Sequence, residues 1–129
     1  MGIRSLRVDF PADVSERDLI RHIERLGTDP GVHGILVQLP LPSHIDVTSV
    51  HLSIVPEKDV DGLTPVSVGR MVRGEPIFLP CTPLGIVELL VRSGIAIEHA
   101  EVVIVGRGPL VGMPLAIMLA QKKPNAKPS

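Results

Sequence analysis

The chain has 129 residues, of which 44% are hydrophobic and 21% charged, a size and balance typical of one globular domain or slightly more. Its net charge of -1 and its aromatic content of 2% argue against nucleic-acid binding through basic patches or base stacking. The single cysteine, Cys81, excludes an internal disulfide and is typical of a reducing cytoplasm. With no signal peptide and no apolar run of about 18 residues, the sequence predicts a cytoplasmic protein without membrane contact.

Two strands and one helix are predicted in the first third of the chain. Apolar and charged residues alternate over residues 3–10, which indicates a strand that Pro11 ends. Ser15 is a typical N-cap for a helix with one apolar face, and Gly27 is predicted to close that helix. Residues 34–39 form a nearly continuous apolar run, which predicts a strand buried on both faces.

Three helices are predicted to begin at polar caps. Asp46 is expected to cap a short helix, and Thr64 precedes a proline in the first turn of another. The same device at Thr82-Pro83 predicts the longest helix, which runs to about residue 93 with the Thr82 hydroxyl as its cap. A boundary between two lobes is expected near this helix.

The last predicted strand and helix flank a glycine-rich loop. Residues 102–105 are fully apolar and predict a second buried strand, and residues 113–121 predict a helix. The polar, proline-bearing residues 122–129 are expected to be disordered. The alternation of strands with helices predicts an α/β fold with a mostly parallel sheet.

The loop Gly106-x-Gly108-x-x-x-Gly112 lies where α/β proteins hold a dinucleotide pyrophosphate, between a strand and a helix. Glycines let the backbone approach the phosphates, and amides at the helix start point at them. Arg107 is a candidate for a phosphate contact, including the 2′-phosphate that separates NADP from NAD. The spacing is one residue longer than the usual fingerprint, so a tight turn without a ligand is the alternative.

Two polar segments follow apolar ones. Gln38 lies inside the predicted strand, where its amide needs either a backbone partner or a ligand at the strand's carboxyl end. Lys58, Asp59 and Asp61 share one loop, too few oxygen ligands for a hard cation. The loop is therefore either a solvated charge cluster or the source of a carboxylate that accepts two parallel donors from a heterocycle.

The sequence indicates no catalytic or metal-binding role for Cys81 or for the histidines. Cys81 has no histidine near it, so an inert residue or part of a pocket wall is the preferred interpretation. No histidine pair has metal-ligand spacing, so we expect surface positions and no metal site. The five histidines are His22, His33, His44, His51 and His99.

Four motifs, at residues 34–42, 56–63, 80–85 and 105–114, occur in an order that resembles one family over residues 2–121. This is the bifunctional methylenetetrahydrofolate dehydrogenase/methenyltetrahydrofolate cyclohydrolase family. The resemblance implies NADP-dependent oxidation of 5,10-methylenetetrahydrofolate, then hydrolysis to 10-formyltetrahydrofolate, in one-carbon metabolism and purine biosynthesis. It also implies tetrahydrofolate derivatives as ligands and a homodimer for the full-length enzyme.

The resemblance implies a domain plan as well. A parallel-sheet substrate lobe, itself incomplete, would be joined by a long helix to the first βα unit of a Rossmann-like NAD(P) domain. Residues 1–82 would form the tetrahydrofolate-binding catalytic domain without its N-terminal part. Residues 83–121 would form the linking helix and the start of the NAD(P) domain, followed by the tail 122–129.

The resemblance assigns roles to residues. Gln38 matches the glutamine that hydrogen-bonds the catalytic lysine, and Asp61 matches the aspartate that grips the pterin. Many members carry serine where Gly108 stands, so one contact to cofactor phosphate is expected to be absent. The implied substrate-binding residues are Gln38, Leu39, Pro40, Asp61 and Gly62, and the implied cofactor-binding residues are Thr82, Pro83, Gly106, Arg107, Gly108, Val111 and Gly112.

Departures from the family pattern predict an impaired chain. The family's catalytic lysine belongs to a Tyr-x-x-x-Lys motif upstream of Gly2, and this chain has no tyrosine. Lys58 belongs to a different motif, so we expect truncation at both ends, little or no activity, and unpartnered apolar faces on residues 102–105. A non-catalytic remnant with a folate- or protein-binding surface is the alternative. A different nucleotide-binding dehydrogenase is disfavoured by Gln38 and Asp61, which we expect on one wall of the pterin groove.

Overall fold

The computed structural model describes residues 2–121, and the predicted tail at 122–129 lies outside them. In these residues the chain forms five α-helices and one short 3-10 helix. The helices are α1 (Glu16–Thr28), α2 (Val47–Leu52), α3 (Pro65–Val72), α4 (Cys81–Arg92) and α5 (Gly112–Ala120), and the 3-10 helix spans Pro56–Lys58.

Three predicted helix starts are confirmed by their cap hydrogen bonds. The Ser15 hydroxyl accepts from the Asp18 amide at 3.1 Å, so α1 begins directly after the predicted cap. The Asp46 carboxylate accepts from two amides of the first turn of α2. The Thr64 hydroxyl accepts from the Ser67 amide at 3.1 Å at the start of α3. Each bond satisfies a backbone donor that the helix itself leaves unpaired.

The predicted ends of two helices were wrong. Helix α4 begins at Cys81 after Pro80, without a side-chain cap, so Thr82 lies inside the first turn and its hydroxyl is not the cap. With 12 residues α4 is also shorter than α1, which has 13. Helix α1 continues one residue past Gly27 to Thr28, and the Lys58 ammonium donates to the carbonyls of Leu26 and Gly27 at this end.

The strands predicted at residues 3–10, 34–39 and 102–105 do not form a hydrogen-bonded sheet within residues 2–121. One isolated parallel bridge joins Ile35 to Asp59, and the Ile35 amide donates to the Lys58 carbonyl at 2.7 Å. The pattern of apolar residues indicates which side chains of a strand would face the protein interior. A ladder also needs a neighbouring strand, and the described residues supply only this one pairing.

Residues 102–105 keep the alternating burial of a strand that has no sheet. Val103 is 88% exposed and Val105 98% exposed, whereas Ile104 packs against the second core. The apolar exposure predicted for this segment is therefore confirmed. The start of the chain also exposes Ile3 and Leu6, so large aliphatic side chains lie in water at both segments.

Two clusters of buried side chains hold the described residues together. The first joins α1 and α2 to the Ile35 segment and consists of Leu19, Ile23, Ile35, Ile45, Val50 and Ile54. The second joins α3, α4 and α5 and consists of Met71, Val87, Leu115 and Met118. Met71 precedes residue 82 and the others follow it, so the second core draws on both sides of the predicted domain boundary, which remains a prediction.

None of the helices within residues 2–121 is both long and apolar enough to cross a membrane.

Candidate functional site

The parallel bridge positions two of the polar segments. Ile35 and Asp59 run in the same direction from it, so Gln38 and Asp61 follow at the same end, three and two residues further along. The approach is close, because a Cβ atom on Gly34 would lie 2.5 Å from the Val60 Cγ1 methyl. The shared wall predicted for Gln38 and Asp61 thus has a common anchor, and their meeting on a pterin stays a prediction.

Lys58 is engaged in a structural contact. Its ammonium group donates to the backbone carbonyls of Gly27 at 2.6 Å, Asp29 at 2.8 Å and Leu26 at 3.2 Å. These carbonyls end α1, where the helix dipole and unpaired acceptors favour a cation. Lys58 therefore ties the charged loop to α1, and its Nζ is already occupied by three acceptors.

Asp59 is also used internally. It is 2% exposed, and its carboxylate accepts from the Thr64 amide at 2.9 Å and the Leu63 amide at 3.3 Å. Burial raises the pKa of Asp59, but hydrogen bonds from Ser67, Thr64 and Leu63 outweigh it and lower that pKa below its usual range. Asp59 is therefore an ionised structural residue at the approach to α3.

Asp61 has a different environment from Asp59. It is half-buried, and no side-chain hydrogen bond joins its carboxylate to another residue within the range 2–121. Burial raises the pKa of Asp61, the nearby charge of Asp59 raises it further, and His51 partly opposes both effects. Of the three charged side chains in this loop, Asp61 is the one that makes no side-chain hydrogen bond to the described residues.

His51 was missed at the sequence level. It was expected on the surface without a role, yet it is half-buried on α2 and its charge bears on Asp61. His22 is also half-buried, whereas the other three histidines are exposed as expected. No local signal links residue 51 to residue 61, because the two come together only when α2 packs beside the loop.

Gly62 and the segment before α4 close the loop from the other side. Gly62 is buried with φ at 64°, and a Cβ atom there would lie 2.9 Å from the Phe78 carbonyl oxygen. The Cys81 thiol lies 3.6 Å from the Val60 carbonyl, in the position of a weak donor. Cys81 therefore contacts the loop although its side chain is exposed, and its part in a pocket wall stays a prediction.

The Gln38 segment departs from expectation. Gln38 is exposed, so the prediction of an amide buried in a strand was wrong, because the strand has no neighbour to cover it. Its Nε2 donates to the Leu39 carbonyl at 3.0 Å, a local contact that leaves the amide oxygen available. Leu39 is half-buried, Pro40 is exposed, and the peptide bond between them is cis.

The glycine-rich loop folds back onto the start of α5. Gly106 has φ at 128°, a conformation that residues with a side chain rarely adopt. Gly112 is buried, and a Cβ atom there would lie 2.2 Å from the Gly106 carbonyl oxygen and 2.7 Å from its carbonyl carbon. Both glycines are therefore required by the backbone, whereas Gly108 has open space around it.

The unpaired amides lie in the loop more than in the helix. Helix α5 has no side-chain cap, but the Met113 amide donates to the Gly108 carbonyl at 3.0 Å, and Pro114 has no donor. The sequence predicted free amide donors at the start of the helix. Among the described residues, the amides without an acceptor lie mainly in the loop before it. These amides belong to Arg107, Gly108, Leu110, Val111 and Gly112.

The remaining predicted cofactor residues lie on α4. Thr82 is exposed and Pro83 is buried in the first turn. A cleft of about 260 Å³, lined by aliphatic residues, lies between α5 and the segment that contains Val102 and Ile104, and it includes none of the predicted site residues. Within the part of the chain that the structure describes, no three His, Cys, Asp or Glu side chains converge as metal ligands would.

Comparison with known proteins connects these features. Residues 1–61 match the family described as tetrahydrofolate dehydrogenase/cyclohydrolase, catalytic domain, and residues 80–127 match its NAD(P)-binding domain. Two curated relatives, each called bifunctional protein FolD, come from Syntrophobacter fumaroxidans and Dehalococcoides mccartyi strain CBDB1. They are 53% and 55% identical to this chain over 126 residues. That overlap is 98% of this chain and 43% of each relative, so the chain spans less than half their length.

Solved structures show the same similarity. The methylenetetrahydrofolate dehydrogenase-cyclohydrolase of Trypanosoma brucei, complexed with NADP cofactor and inhibitor, is 44% identical with a TM-score of 0.88. The match covers 92% of this chain and 41% of that one. The bifunctional enzyme FolD from Campylobacter jejuni is 46% identical with a TM-score of 0.81, covering 84% and 39%. These matches support the predicted α/β class.

Proposed function

Since the chain belongs to the tetrahydrofolate dehydrogenase/cyclohydrolase family, we propose that its residues bind a reduced folate through Asp61 and NADP phosphate through the Gly106–Gly112 loop. The reaction served is oxidation of 5,10-methylenetetrahydrofolate to the methenyl form, followed by hydrolysis to 10-formyltetrahydrofolate. NADP supplies the hydride acceptor for the first step. The setting is one-carbon metabolism, in the cytoplasm, with a homodimer as the state of the full-length enzyme.

The observation that carries the folate assignment is the division of the charged loop. Lys58 and Asp59 are bound within the fold, and Asp61 alone keeps an available carboxylate. A pterin presents an amino group and a ring N–H side by side, and one carboxylate accepts both in parallel charge-assisted bonds. Half-burial of Asp61 strengthens those bonds by excluding part of the competing water.

Gln38, Leu39, Pro40 and Gly62 are proposed to complete the folate wall. The exposed Gln38 amide is free to turn from the Leu39 carbonyl toward a substrate or a lysine beside it. Gly62 contributes by letting the chain turn immediately after Asp61, where any side chain would strike the Phe78 carbonyl.

The cofactor proposal depends on the glycine cradle. Gly106 and Gly112 let the loop close on itself, and its unpaired amides are available to phosphate oxygens. Arg107 is exposed and provides a cation for a phosphate, which favours NADP over NAD. Gly108 and Val111 belong to the same loop, and Thr82 and Pro83 are proposed to border the cofactor from α4.

Proton transfer is the step whose family motif is not found in the printed sequence. The family resemblance assigns it to a lysine in a Tyr-x-x-x-Lys motif, the chain contains no tyrosine, and Lys58 is held by three carbonyls. We therefore propose binding without turnover for the isolated chain. Incubation with methylenetetrahydrofolate and NADP should give no NADPH absorbance, and a normal enzymatic rate would overturn this proposal.

Folate binding is tested separately by isothermal titration with tetrahydrofolate. Asp61→Asn should weaken binding by about tenfold or more, because the amide offers one acceptor and one donor where two acceptors are needed. Glu57→Gln is the matched control, since Glu57 is exposed in the same segment. Equal affinities for wild type and Asp61→Asn would refute Asp61 as the pterin ligand.

A second candidate is a non-catalytic protein that presents a binding surface. The exposure of Val103 and Val105 favours it, because isolated aliphatic segments of this kind pair with other chains. Folate binding that is absent, together with self-association that depends on these valines, would select this candidate over the first.

A further inference from the structure

Asp59 organises the turn that contains Asp61. The Asp59 backbone carbonyl accepts from the Gly62 amide at 3.1 Å, and its carboxylate accepts from the Leu63 amide at 3.3 Å and the Thr64 amide at 2.9 Å. Three consecutive amides thus converge on one residue. Asp61 is the residue immediately before this run, so its backbone is enclosed by bonds to Asp59.

The same residue is fixed to the rest of the fold on two further sides. Its backbone forms the parallel bridge with Ile35 of the first core. Its carboxylate approaches the hydroxyl of Ser67 in α3, whose other end packs into the second core through Met71. Asp59 therefore connects the turn to both cores, and an orientation imposed on it is passed to Asp61.

We propose that Asp59 is a positioning residue for the folate site, which acts by holding the turn so that the Asp61 carboxylate faces outward in one orientation. This inference rests on the proposed function of Asp61. It assigns no contact between Asp59 and the substrate, because Asp59 is buried and each of its carboxylate oxygens accepts a backbone amide from within the fold.

The charge of Asp59 adds an electrostatic effect. It lies close enough to raise the pKa of Asp61, while His51 from α2 acts in the opposite direction. The Lys58 ammonium is turned away toward α1, so it does not neutralise either aspartate. Loss of the Asp59 charge should therefore lower the pKa of Asp61 and extend folate binding to lower pH.

The test compares three variants of the full chain by titration with tetrahydrofolate between pH 4 and pH 8, a range spanning ordinary carboxyl titration and neutrality. Asp59→Asn keeps the shape and removes the charge and one acceptor. Ser67→Ala leaves the Asp59 carboxylate and removes the hydroxyl that lowers the pKa of Asp59 and accepts from the Thr64 hydroxyl at 2.9 Å. Glu57→Gln removes an exposed negative charge two residues away and is the control.

We expect Asp59→Asn to weaken binding at neutral pH by about tenfold or more, because a ligand group displaced by a fraction of an ångström loses much of its effect. Its acid limit of binding should move to lower pH. Ser67→Ala should weaken binding by about two- to threefold, and Glu57→Gln should leave both affinity and pH profile unchanged.

Each outcome of the titrations supports or overturns a stated part of the proposal. A wild-type chain that does not bind tetrahydrofolate refutes the proposed function itself. Wild-type binding with unchanged affinity in Asp59→Asn overturns this inference alone, and so does weaker binding with an unmoved acid limit, which would assign Asp59 to fold stability only. If circular dichroism shows Asp59→Asn to be unfolded, Ser67→Ala decides: weakened binding supports positioning, and unchanged affinity overturns it.

Discussion

Replacement of Gly112 by alanine should disrupt the glycine-rich loop through one added methyl group. Its Cβ atom would lie 2.2 Å from the Gly106 carbonyl oxygen, and ordinary contacts begin at 3.4 Å. The loop must therefore retreat by about 1.2 Å, against backbone atoms that have no side-chain rotamer through which to escape. The variant should have a lower free energy of unfolding and a weaker affinity for phosphate groups.

Gly108→Ala provides the matched control and sets the magnitude. No atom lies within 4 Å of a Cβ at that position, and its φ is not positive. Alanine should therefore raise the free energy of unfolding by about 0.5 kcal/mol, because it reduces the conformational entropy of the unfolded chain. Overpacking at Gly112 should cost about 2 kcal/mol. The two variants should therefore differ by about 2.5 kcal/mol, or about 1 M in the urea midpoint.

Urea unfolding followed by circular dichroism measures this difference, and equilibrium dialysis with NADP measures the functional consequence. Gly112→Ala should lose NADP retention, whereas Gly108→Ala should keep it. If both variants shift the midpoint in the same direction by similar amounts, the close approach of residues 106 and 112 is not a feature of the folded chain. The cradle proposed for the phosphates would then have no basis.

Three further perturbations test other contacts. Lys58→Met should lower the free energy of unfolding by about 2–3 kcal/mol, because three helix-end carbonyls lose a charged donor, and urea titration should show little change for the exposed control Arg17→Met. Asp61→Asn should raise thermal stability at neutral pH, since the raised pKa of Asp61 means that its ionised form opposes folding. That gain should decrease once the pH falls through the raised pKa of folded Asp61 and should vanish below the ordinary pKa of the unfolded carboxyl, and a gain independent of pH would contradict the assignment. Val103→Lys with Val105→Lys should reduce self-association in sedimentation velocity without lowering the urea midpoint, because both side chains are already in water.

The features that sequence predicted well are those encoded within a few residues. Caps at Ser15, Asp46 and Thr64 were predictable because each side chain reaches an amide two or three positions ahead. The glycine-rich loop was recognisable for the same reason, although its unpaired donors proved to lie in the loop itself. Helix positions therefore followed from local chemistry, apart from the start of α4 and the last residue of α1.

The features that sequence missed depend on residues far apart in the chain. Lys58 reaches the carbonyl of Gly27 across 31 positions, which no local pattern contains. Asp59 and Asp61 are indistinguishable in a motif, and only the placement of α3 makes one internal and the other available. Gln38 was expected to be buried because an apolar run indicates a covered strand, and no neighbouring strand among residues 2–121 covers it.

The close approach of Gly34 and Val60 limits which residues can occupy these two positions together. The two positions share a single small volume, so a larger residue at 34 is tolerated only if the residue at 60 gives up a methyl group. Substitutions there should be interdependent: each is harmful alone, and Gly34→Ala becomes acceptable in a background with alanine at 60. In related chains a larger residue at position 34 should therefore occur together with a smaller residue at position 60. Such covariation would show that the Ile35–Asp59 bridge is kept in those chains.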